Sequence, residues 1–122
     1  MAKNDYEYIV FKILIYLYGC FKREYSFDQE VFNRKILHEK NGIADEYLTD
    51  ILRGMTTEEL IEGLNFTKAW GNEYILINDI KDATITPAGI RYLKDNSKMS
   101  EIKNILVESP GAIAELIKIV LP

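Results

Sequence analysis

A mainly α-helical domain with a small β-hairpin, an α+β arrangement, is what three stretches of this sequence predict. Leu48, Ile51, Leu52 and Met55 stand at i, i+3, i+4 and i+7, the spacing of one apolar helix face. Downstream, Trp70-Gly71-Asn72-Glu73 supplies turn residues and Tyr74-Ile75-Leu76-Ile77 a short run of strand formers, which together read as a hairpin. The third stretch is Ile85-Thr86-Pro87-Ala88-Gly89-Ile90-Arg91-Tyr92-Leu93. Thr86 is placed to cap a helix and Pro87 to begin it, where a missing N–H costs nothing. Gly89 lets another backbone or a large side chain approach, while Ile90 and Leu93 form an inward stripe. A short strand therefore ends against a helix that packs back over it.

The chain of 122 residues fits one domain and is long enough to bury a core without metal or disulfide support. With 48% hydrophobic residues, three prolines and seven glycines, it belongs among ordered globular proteins. Its net charge of −4 is the wrong sign for a surface built throughout to attract polyanions. The acid is concentrated in residues 41–66, which hold six carboxylates against the single cation Arg53. Cys20 is the only cysteine, so a disulfide-built secreted scaffold is excluded and a cytoplasmic protein is expected. The run from Ile9 to Cys20 is apolar, but Asp5 and Glu7 precede it and Lys12 interrupts it. It is also far shorter than the roughly 20 residues a membrane span requires, so no membrane association is expected.

In chain order, Asp5 to Arg23 has helical spacing with two apolar faces. Ile9, Val10, Ile13, Leu14, Leu17 and Phe21 form one; Tyr8, Phe11, Ile15 and Tyr18 form the other. Such a helix must be covered on two sides, either by C-terminal helices of its own chain or by a second copy. Ser26-Phe27-Asp28-Gln29 reads as a capping box, with Ser26 as N-cap, opening a second helix with Phe27, Val31, Phe32 and Ile36 inward and ending at Asn41-Gly42. The third helix begins near Asp45. Asp79 to Asp82 forms a loop leading to Thr86. Beyond Asn96 come a helix carrying Ile102, Ile105 and Leu106 and, after the Ser109-Pro110 start signal, a last helix with Ile113, Leu116, Ile117 and Val120.

Three helices, a hairpin and a capped helix follow the order of a winged helix-turn-helix domain with appended C-terminal helices. That domain is expected over residues 1–97, with its wing at about 60–85 and a helix at 87–96. Residues 98–122 form a helical extension packed on the first helix or on a partner chain. A candidate homodimer surface then comprises Phe11, Ile15, Tyr18, Ile113, Leu116, Ile117 and Val120. Thr86, Gly89, Tyr92, Leu93, Lys94 and Asn96, followed by a further helix, resemble the YjcQ family of small Gram-positive bacterial and phage-associated proteins, over roughly Tyr6 to Ile105. The resemblance implies the fold and names no reaction. Where such domains usually place glycine between third helix and wing, this chain has Glu59, so that turn is expected to differ in shape.

Catalytic residues, cofactor and metal are not expected. His38 is the only histidine and sits beside Glu39 and Lys40 at a helix end. Cys20 has no metal-ligand companion, and the glycines are too scattered for a phosphate loop. Two functions remain. A DNA-binding regulator would use Thr49 and Arg53 for bases and Lys35, Lys40 and Lys68 for backbone phosphate. A protein-interaction module would instead present the acidic third helix and exposed aromatics such as Trp70 or Tyr47. The fold favours the first and the charge distribution the second.

Overall fold

The computed structural model describes residues 6–33 and 45–95. Within them the chain is mainly helical with a small antiparallel β component. The order is α1 (Tyr6–Phe21), α2 (Gln29–Val31), α3 (Asp45–Thr57), β1 (Ile61–Glu62), β2 (Phe66–Lys68), β3 (Tyr74–Leu76), β4 (Thr84–Ile85) and α4 (Pro87–Asp95). The expected boundary near residue 97 and the extension 98–122 lie outside the described residues, as do Ile36 and Asn41-Gly42. No described helix is long and apolar enough to cross a membrane.

The apolar surface of α1 demands cover all round, and its middle receives it, whereas Phe21, expected on the inward face, is 54% exposed at the helix end. Every residue from Ile9 to Leu17 is buried, Lys12 included, and α3, β4 and α4 all pack against the helix. Arg23 ends it in the left-handed conformation (φ 62°), its N–H donating to the Cys20 carbonyl while Glu24 N–H reaches Gly19. The chain then doubles back. Tyr25 lies over Gly19, where a Cβ would stand 2.1 Å from the phenol oxygen, and its hydroxyl donates to the Tyr16 carbonyl at 2.9 Å. Tyr16, Tyr25, Phe27 and Phe32 form an aromatic cluster with centroids 5.2–5.7 Å apart.

The cap of α2 falls two residues later than the sequence suggests. Asp28, not Ser26, accepts from Glu30 N–H and Val31 N–H. The reason is tertiary: Tyr16 hydroxyl accepts from Asp28 N–H at 2.9 Å and fixes that residue's backbone at the helix entrance. α3 follows the expected pattern, with Ile51, Leu52 and Met55 buried and Leu48 half-buried. Its end is a hydrogen-bonded stop in which Leu60 N–H donates to Met55 and Glu59 N–H to Thr56. Glu59 takes the left-handed conformation (φ 62°) that glycine normally supplies.

The β residues form one arm built of two antiparallel rungs. At the base β1 pairs with β4, Ile61 opposite Ile85; further out β2 pairs with β3, Phe66 opposite Leu76. The strands break between the rungs, and Asn78 bridges the break. Its Oδ1 accepts from Asn65 N–H at 2.9 Å, and its amide donates to the Gly63 carbonyl at 2.7 Å and the Asp82 carboxylate at 3.2 Å. The stretch expected as a loop after Asp79 contains a single helical turn, Ile80–Asp82, that buries Ile80.

α4 starts as expected. Thr86 Oγ1 accepts from Gly89 N–H at 3.0 Å, and its hydroxyl donates to the Glu59 carbonyl. Gly89 meets another backbone, since a Cβ there would lie 2.3 Å from the Leu60 carbonyl oxygen.

Replacing Glu59 by glycine removes the cost of a left-handed non-glycine residue, roughly 1–2 kcal/mol, partly offset by greater freedom of the unfolded chain. Glu59→Gly is therefore expected to raise the urea midpoint with little change in slope.

Candidate interaction surfaces on the third helix and the arm

The outward side of α3 is acidic. Glu46, Asp50 and Thr57 are exposed, whereas Thr49, Arg53 and Thr56 are half-buried. Thr56 turns its hydroxyl to the Leu52 carbonyl at 2.9 Å. Arg53, the candidate base contact, lays its guanidinium over the Tyr74 ring, 3.4 Å from the centroid. A planar, weakly hydrated cation gains by such stacking, and the contact joins α3 to β3.

Lys68 stands directly opposite Tyr74 in the β2–β3 register, so both belong to the same face of the arm. Thr49 lies one turn before Arg53 on α3. The structure thus brings Arg53 onto Tyr74, opposite Lys68, and the part of Tyr74 in holding Arg53 has no sequence signal. Lys35 and Lys40 lie outside the described residues.

The opposite face of the arm is apolar and open. Phe66, Tyr74 and Leu76 point inward and are half-buried, which turns Thr67 and Ile75 outward, followed by Ile77. Ile75 is 51% exposed and Ile77 63%. Trp70, at the tip, is 97% exposed. The tip is closed by Ala69 N–H donating to the Glu73 carbonyl, with Gly71 and Asn72 both at positive φ. Tyr47, the other aromatic expected at the surface, is half-buried.

Of the candidate dimer residues, Phe11 and Ile15 are fully buried within the single chain and Tyr18 is half-buried. The chain's own packing therefore already covers the two positions expected to face a second copy. Ile113, Leu116, Ile117 and Val120 lie outside the described residues.

Chemistry-bearing groups are sparse. Cys20 is half-buried, and burial pushes its thiol up to about 11, which keeps it protonated and unreactive. His38 lies outside the described residues. Among the described residues no group of three His, Cys, Asp or Glu side chains could hold a metal ion. An open cleft of about 520 Å³ lies between the end of α3 and the start of α4, lined by Thr56, Glu59, Glu62, Thr86 and Arg91 among others. Its Thr86 hydroxyl is committed to the Glu59 carbonyl, so it offers no activated nucleophile.

A family model described as YjcQ protein matches residues 11–108. No curated protein and no solved structure gives a match.

Arg53→Ala loses the Tyr74 stack and the packing of its stem, for an expected loss of about 1 kcal/mol, readable as a fall of a few degrees in Tm. Cys20 alkylation in the folded protein is expected to be slow at pH 8 and to keep rising toward pH 11, whereas the urea-unfolded chain reacts readily at pH 8–9. Because the folded thiol holds its proton longer, its contribution to stability is present below the ordinary thiol range and lost as pH rises through about 11.

Proposed function

The chain belongs to the YjcQ protein family, and from that premise we propose that it is a non-enzymatic, cytoplasmic winged-helix domain that docks onto another protein through its arm. The observation that carries this reading is the open apolar face of the arm, Ile75 and Ile77 with Trp70 almost wholly in solvent at the tip. Apolar surface held in water forgoes about 25 cal/mol per Å² of burial, so a tryptophan and two isoleucines on a projecting hairpin are best accounted for by a partner that covers them. Aromatic anchors of this kind dominate protein interfaces.

The charge of α3 points the same way. In the groove-reading use of a winged helix, Glu46 and Asp50 would approach phosphates, and Arg53 is already engaged on Tyr74. A second reading, a DNA-binding regulator, is favoured by one observation: Arg53 of α3 and Lys68 of β2 both adjoin Tyr74, where helix and wing of such a domain would meet a duplex.

Titration of labelled random-sequence duplex with the purified protein at low and moderate salt separates the two, with light scattering on the same samples. No retention of DNA at low-micromolar protein, even at low salt, is the expected result. Binding that falls steeply with salt, and whose salt slope drops by about one in Lys68→Ala, would replace the docking reading with the regulator.

A further inference from the structure

The outward face of the arm has a definite chemistry as well as a shape. From Glu58 to Asp82 the chain carries six carboxylates and two lysines, all on exposed residues. Neither lysine serves the apolar face. Lys68 belongs to the side that carries Tyr74 and Arg53, and Lys81 pairs with Asp79 at 3.8 Å. The charge that falls on the apolar side is Glu73, two residues before Ile75 in extended backbone and therefore in line with Ile75 and Ile77. Trp70, in the same tip three residues before Glu73, presents an almost fully exposed aromatic ring, and such rings attract cations.

Resting on the docking reading above, we propose that this face takes a basic segment of a partner protein, seating apolar side chains on Ile75 and Ile77 and a lysine or arginine at Glu73 and the Trp70 ring. A second copy of the chain fits poorly. Symmetric pairing of two arms would bring two net-acidic surfaces together, and like charges across an interface suppress association. A basic partner turns the same charges into attraction, which speeds encounter and makes it sensitive to salt.

The test is a selection of random peptides displayed on phage against the immobilised full-length protein, repeated against Trp70→Ala and Ile75→Ser. The leading peptide, labelled, is then titrated by fluorescence anisotropy. The expected result is enrichment of peptides that combine apolar residues with lysine or arginine. Their affinity should fall at least tenfold in Trp70→Ala and Ile75→Ser, and at least fivefold in Glu73→Lys or when salt is raised from 50 to 500 mM. All three side chains are exposed, so thermal melts of the variants should stay close to that of the parent and confirm that folding is intact.

Enrichment of acidic or uncharged peptides that still depend on Trp70 and Ile75 would overturn the basic-partner proposal while leaving the docking reading in place. Enrichment indifferent to both substitutions, or none, would overturn both. Self-association by light scattering that Ile75→Ser abolishes would make a second copy the occupant and overturn the proposal. So would a Trp70 emission maximum that is already blue-shifted in the dilute chain alone.

Discussion

Thr86 ties together three parts of the chain. Its N–H donates to the Leu60 carbonyl at 3.1 Å, its hydroxyl donates to Glu59, and the same oxygen accepts from Gly89. The stop of α3, the base of the arm and the start of α4 therefore share one residue. Each bond contributes a modest net amount, about 0.5–1.5 kcal/mol, but together they set where the arm leaves the body. Gly89 is part of the same constraint, because the Leu60 carbonyl sits where any side chain would begin. The β1–β4 rung beside it then closes the base, leaving the outer rung to project with Trp70 at its end.

The projecting rung separates two kinds of surface. Toward α3 it presents Tyr74, which holds the Arg53 guanidinium and thereby fixes the angle between helix and arm. Away from α3 it presents two isoleucines that the body of the protein does not use. Asn78 makes this division possible, since its three hydrogen bonds carry the ribbon across a break where strand pairing alone would lapse. A side-chain amide suits the position because it can accept from one backbone group while donating to another.

What could be read from the sequence was local. The α3 stripe, the turn at Trp70–Glu73 and the Thr86-Pro87 start are each written within a few residues, and each forms where expected. What escaped reading depends on distant partners. Ser26 and Asp28 are equally good caps in isolation, and Tyr16, twelve residues earlier, decides between them. Arg53 stands on the polar side of its helix, yet it stacks on Tyr74 and is half-buried. Glu59 at a left-handed position contradicts its own propensity, and the neighbouring backbone bonds from Glu59 and Leu60 to the helix hold it there. The run Tyr74 to Ile77 is apolar throughout, so alternation could not say which residues face outward; only the register of β2 and β3 and the packing beneath them do.

The burial of α1 from Ile9 to Leu17 also bears on how the chain is made. The helix is synthesised before β4 and α4, which cover much of it and lie more than sixty residues downstream. Until Thr84 to Asp95 have been synthesised, the strip from Ile9 to Leu17 has no lasting shelter on that side, and its helical form cannot be secured by local contacts alone. A chain arrested before that point exposes the most apolar segment of the described residues to solvent. Quality of expression should therefore depend less on the first helix itself than on prompt arrival of the residues around Thr86.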